Sequence, residues 1–277
     1  MRPPARTFLF GAFGAVALAA LTATAWIGFA PRPAPVAGDT LPLPPQPPRF
    51  AEGPEADRCF ALLRTDPEAA LTVAATWERQ GGGEGAQHCA ALALLAAGDV
   101  ARAADQLQQL AARSRAAPSA RAAVFAQAAQ AWLMAGETQR AFATTTLALA
   151  LTPDDVELLI DRAVALGSMG RHGEAVADLD RALGSDPQRP DVLVFRAAAW
   201  RQLDRAEPAR RDIERALELD PENAEALLER GILRQLAGDT EGARIDWERA
   251  IELAPHSAIA DLALQNLALN EAGPAGR

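Results

Sequence analysis

Lysine and tyrosine are absent from the 277 residues, and only two Cys, three His and three Met occur. With no Lys, all 27 basic residues are Arg, a bias that fits a GC-rich coding sequence. Without Tyr, at 5% aromatic content and with few β-branched residues, the chain is poor in sheet builders. Its hydrophobic 49% is mainly Ala and Leu, strong helix formers, so composition predicts an all-α protein. The chemistry-bearing residues are also thin. His88, His172 and His256 are dispersed and read as surface or helix-end residues. No H-E-x-x-H, G-x-S-x-G or G-x-x-x-x-G-K-[ST] occurs, and Cys59 and Cys89 lack metal-ligand spacing. Asp154 and Asp155 directly follow Pro153, where they serve a helix start and not a catalytic pair. The expectation is a protein that is not an enzyme and needs no cofactor or metal.

Acidic residues are missing before Asp39, whereas Arg2, Arg6 and Arg32 all lie there. The remainder is strongly acidic and has no Arg stripe interleaved with aromatics, which disfavours nucleic acid as a partner. Arg2 and Arg6 precede an uncharged, mostly apolar run from Thr7 to Ala30, the layout of a signal peptide or a transmembrane anchor. Ala23-Thr24-Ala25 offers a small-x-small cleavage site, while the retained run would span a bilayer with Trp26 near its outer face. Either outcome exports the body, to the periplasmic side of the inner membrane if the source is bacterial, and the N-terminus is expected to associate with the membrane. Residues 1–30 are therefore read as this signal or anchor, and 31–54 as a linker. Eight Pro between 31 and 49 make that linker an extended spacer.

From Glu55 onward, helical patterns follow one another without competing β alternation. Gly98-Asp99, Gly136-Glu137, Gly170-Arg171 and Gly238-Asp239 mark tight turns, and Asp66-Pro67 starts a helix. Pro153, Pro187, Pro221 and Pro255 recur at 34-residue intervals. In the same register stand Ala148, Ala182, Ala216 and Ala250, then Ala141, Ala175, Ala209 and Ala243, and then Ala129, Ala163, Ala197 and Gly231. Small residues at fixed points are what closely crossing helices require.

This pattern resembles the tetratricopeptide repeat family, most clearly between about Ala120 and Pro255. In the unit from Val156 to Arg189, Leu159, Ala163 and Leu166 match the first helix, and Ala175, Leu179, Ala182 and Pro187 the second. Trp132, Trp200 and Trp247 fall where the family places large aromatics and are expected in the core. The resemblance implies a right-handed superhelical solenoid of stacked helix-turn-helix hairpins. Two divergent hairpins are expected over 55–117, four repeats over 118–255, a capping helix over 256–270 and a tail over 271–277. The departure is Arg162, Arg196 and Arg230, which replace an apolar residue every 34 positions. Asp178, Asp212 and Asp246 recur at the same interval on second helices, so a ladder of Arg-carboxylate pairs is expected.

Cys59 and Cys89 should sit on the first helices of adjacent hairpins; in an oxidising compartment they could bond, and otherwise they are two buried thiols. The resemblance also implies a concave face lined by first helices, here Glu157, Ile160 and Val164, then Asp191, Val194 and Ala198, then Glu225, Leu228 and Ile232, with Ala126 and Gln130 upstream. Family members that clamp a peptide's terminal carboxylate use Lys and Asn on this face, which this sequence lacks there. The expected groove has an apolar floor and an acidic edge, suited to an amphipathic helix or an extended segment with basic flanks. The expected function is a non-catalytic protein-protein interaction scaffold of the cell envelope. An envelope chaperone or assembly factor, and a homo-oligomerising structural subunit, are the alternatives.

Overall fold

The computed structural model describes residues 50–271; the apolar run, the Pro-rich spacer up to residue 49 and the tail 272–277 lie outside them. Among the described residues every regular element is a helix: α1 (Pro54–Leu62), α2 (Pro67–Arg79), α3 (Gly83–Ala96), α4 (Val100–Arg113), α5 (Pro118–Met134), α6 (Thr138–Leu151), α7 (Val156–Ser168), α8 (His172–Ser185), α9 (Pro190–Gln202), α10 (Ala206–Leu219), α11 (Ala224–Leu236), α12 (Thr240–Leu253) and α13 (Ala258–Glu271). None is long and apolar enough to cross a membrane. They form two compact units, residues 50–165 and 166–271, divided within α7.

Local chemistry sets where the helices start and stop. Pro opens α1, α2, α5 and α9, where its missing amide hydrogen costs nothing. Asp66, Asp155, Asn223, Asp239 and Ser257 each accept a backbone N–H of the following first turn, at 2.8–3.2 Å. Three of these caps, at 155, 223 and 257, keep the 34-residue register. The turns inside hairpins need a left-handed residue, which Gly136, Gly170 and Gly238 supply at φ 76°, 74° and 87°. In the same register, Asp204 takes that conformation at φ 59°. Asp is one of the few non-glycine residues that tolerate it, so this turn carries no glycine signal in the sequence.

In the first unit, α1 packs on α2 and α3, α3 on α4, and α5 on α4 and α6. Cys59 and Cys89 form a disulfide that ties α1 to α3, with an S–S distance of 1.97 Å. Phe60, Leu63, Val73 and Trp77 pack around it. His88, expected at the surface, is instead 1% exposed. Its ring lies between Phe50 and Phe60, its Nε2 and Gln127 Oε1 are 2.7 Å apart, and burial holds its pKa below the usual value against the opposing effect of that hydrogen bond.

In the second unit, α9 packs on α10 and α11, α11 on α12, and α13 on α11 and α12. Trp247 of α12 is 1% exposed and donates to Leu228 O at 3.2 Å. It fits because Gly231 stands opposite: a Cβ there would come within 2.3 Å of the indole nitrogen. Trp132 is likewise buried, and it donates to Gln108 Oε1 at 2.8 Å. Trp200 differs from the core expectation and is only half-buried.

The candidate partner-binding face

The first helices α9 and α11 lie against one another in the second unit and carry six of the residues expected to line a groove. Their apolar members are largely enclosed. Val194 and Leu228 are each 2% exposed and Ala198 is 8%, while Ile232 remains half-exposed. α9 and α11 pack against one another, and with these side chains enclosed the floor inferred from helical spacing is less open than expected. The polar members keep their access. Asp191 and Glu225 are half-buried and close enough to repel one another. Burial and then the Asp191 charge raise the pKa of Glu225. Burial alone would also raise the Asp191 value, but two hydrogen bonds from Arg189, at 2.9 and 2.6 Å, together with its charge and nearby backbone N–H groups, bring it below the ordinary level.

The first unit repeats this chemistry on α5 and α7. Ile160 and Val164 are both 6% exposed, Ala126 is half-buried, and Glu157 and Gln130 are exposed. Beside them stands Asp161, 7% exposed, whose Oδ2 receives a single long hydrogen bond of 3.4 Å from Gln130 Nε2. Burial pushes its pKa up to about 7; the Gln130 bond opposes this, and Glu157 and Asp155 add to it. Helical spacing missed Asp161 because it falls one residue after the apolar Ile160, on the flank of the expected face. The face is thus acid-lined in both units.

The Arg ladder is seen from α8 to α12. Arg196 makes a bidentate pair with Asp212 at 2.8 and 2.7 Å and a further contact with Asp180 at 2.7 Å. Arg230 does the same with Asp246 at 2.9 and 2.7 Å, and Arg234 adds a 2.7 Å bond to that carboxylate. A pair the spacing does not announce is Arg201 with Glu229, 2.5 Å apart, which links α9 to α11 with both side chains buried. Among the described residues no group of three His, Cys, Asp or Glu side chains is arranged to hold a metal ion.

Residues 130–200 match the tetratricopeptide repeat family, whose helical hairpins and 34-residue period are those seen here. That stretch carries tetratricopeptide repeats. No curated protein matches it by sequence. Among solved tetratricopeptide structures, the C-terminal part of a repeat protein from Cytophaga hutchinsonii superposes with a TM-score of 0.58 at 15% identity, over 72% of this chain and 78% of that one. A repeat protein from Parabacteroides merdae gives 0.53 at 22% identity, over 66% and 73%. YrrB, described as a tetratricopeptide protein with an unusual peptide-binding site, gives 0.52 at 17% identity, over 71% and 97%. These likenesses establish the tetratricopeptide fold.

Proposed function

We propose that the chain is a non-catalytic scaffold that binds a segment of another protein on the inner faces of its first helices, outside the cytoplasmic membrane. In the first unit this is the face that carries Glu157, Ile160 and Val164; in the second it is the face that carries Asp191, Val194, Ala198, Glu225, Leu228 and Ile232. The observation that carries this reading is the set of carboxylates on those faces that are partly desolvated and crowd one another, as Asp191 and Glu225 do. Holding like charges together costs stability, and a ligand with basic groups would relieve it. With Val194 and Leu228 enclosed, such a ligand is recognised chiefly by charge and backbone, with Ile232 as an apolar contact. That YrrB is described as having a peptide-binding site agrees with a polypeptide ligand. Export rests on Arg2, Arg6 and the apolar run from Thr7 to Ala30, and the Cys59–Cys89 bond suits an oxidising compartment.

A second reading, self-association, has its own observation: α13 exposes Leu264 at 53% and Leu269 at 66%. One experiment addresses both. A photo-crosslinking amino acid is placed at Ile232 on the inner face, at Ile245 on the exposed side of α12, or at Leu264, and the full chain is irradiated in intact cells. A defined heterologous adduct from position 232 and none from 245 is the expected outcome. Equal labelling from both, or none from either, sinks the inner-face reading; an adduct of twice the chain's mass from position 264 supports self-association.

A further inference from the structure

We propose that His88 is the latch of a pH-operated joint where the Pro-rich spacer meets the helices: while its ring is neutral the segment from Phe50 into α1 closes over it, and protonation lets that segment swing away about the Cys59–Cys89 bond. The inference goes beyond the partner-binding reading and does not depend on it.

The first observation is the hydrogen bonding of the ring. Gln127 Oε1 can only accept, so His88 Nε2, 2.7 Å away, carries the proton of the neutral imidazole and donates it. Nδ1 is then a bare lone pair, buried and without a hydrogen-bond partner. A second proton has to sit there, as a charged donor with no acceptor, on a residue that is 1% exposed.

The second observation is what lies over the ring. Phe50 and Phe60 stand 5.6 and 5.8 Å from it, centroid to centroid, and their rings offer no lone pair to a new N–H. Ala51 is seated on the same helix about one turn earlier, since a Cβ at Gly85 would come within 2.3 Å of its methyl group. The cover is therefore the short lead into α1, and it directly follows the Pro-rich residues 31–49. α1 has nine residues and no side-chain cap at its N-terminus, so little of its own chemistry holds its first turn in place. The disulfide keeps α1 attached to α3 when the cover opens, which makes the opening local and reversible.

The third observation is the charge around the ring. Glu52, Glu55, Asp57 and Arg58 at α1, Glu68, Glu78 and Arg79 on α2, and Arg102, Asp105 and Arg113 on α4 are all exposed. Glu84 of α3 and Arg121 of α5 are half-buried, the first accepting from Ser114 Oγ and the second donating to Ala111 O. None of these charges contributes to the titration of the ring, which burial holds below the ordinary 6.5 while the Gln127 bond opposes. The closed state thus binds fewer protons than the open one. Closure is fully present above pH 6.5 and is lost as the pH falls through 6.5 towards the lowered value.

The test is hydrogen exchange of the oxidised full chain at pH 7.5 and 5.5, corrected for the intrinsic pH dependence of amide exchange and read over residues 50–63 and, as a reference, over α11. Protection over 50–63 should fall roughly five- to tenfold at the lower pH, as one proton linked to a group of ordinary pKa predicts. Protection of α11 should not fall with it, and His88→Gln, uncharged at both pH values, should show no such change over 50–63. Unchanged protection in the wild type, an equal fall in His88→Gln, or an equal fall over α11 overturns the latch. NMR of the wild-type imidazole supplies a reading that needs no variant: His88 should keep the Nε2-protonated neutral form at pH 6.5 and titrate only below it. Titration at or above 6.5, or a neutral ring protonated on Nδ1, overturns the proposal even if His88→Gln fails to fold.

Discussion

Asp161 shows what one residue's surroundings can impose on the whole stability curve. Its pKa is pushed up to about 7 in the folded chain, chiefly by burial, against an ordinary value of 3.8. Because the folded state holds this proton more tightly than the unfolded state does, the associated stability is fully present below about pH 4. It is lost as the pH rises through about 7. Asp161→Asn removes that dependence. Urea denaturation at pH 5 and pH 8 should show the wild type losing on the order of 1–4 kcal/mol relative to the variant over this interval. A constant difference between the two proteins would show that Asp161 titrates normally. Nothing in the sequence flags this residue: Asp at that position of a helix reads as an ordinary surface charge, and only its burial in the folded chain makes it otherwise.

Helices pair through what their small residues allow, and here much was legible in advance. The run of Ala129, Ala163, Ala197 and Gly231 marks crossing points by periodicity alone. Which large side chain each crossing admits is a matter of three-dimensional fit: Gly231 lies against the Trp247 indole, with no room for a methyl group. Gly231→Ala should therefore destabilise the chain by about 1–3 kcal/mol through overpacking, although Ala is the better helix former. Thermal melting checks this, and a rise in melting temperature would mean that α12 can shift to make room. The Arg-carboxylate ladder was equally readable from spacing at Arg196 and Arg230. The Arg201–Glu229 pair was not, since 28 residues separate its members and no repeat of the motif points to it.

At the scale of the molecule, the Cys59–Cys89 bond links the first two hairpins across a 30-residue separation. Loop-closure entropy puts its contribution at roughly 3–4 kcal/mol. Chain isolated from its native compartment and denatured without reductant should show no free thiol. Reduction should then lower the denaturation midpoint by an amount matching that figure. Two titratable thiols per chain would remove both the bond and its support for an oxidising compartment.

The all-helical class, the 34-residue period, most turn positions and the Arg-Asp ladder follow from the order of residues, because helix propensity, capping and small-residue spacing act over a few turns of local chain. Tertiary structure decided which side chains are spent on cohesion and which are left for a partner. It encloses Val194 and Leu228, buries His88 against two aromatic rings and leaves Asp161 buried with one long hydrogen bond from Gln130. Burial and electrostatic compensation depend on neighbours brought together from different helices, and periodicity along one helix does not carry that information.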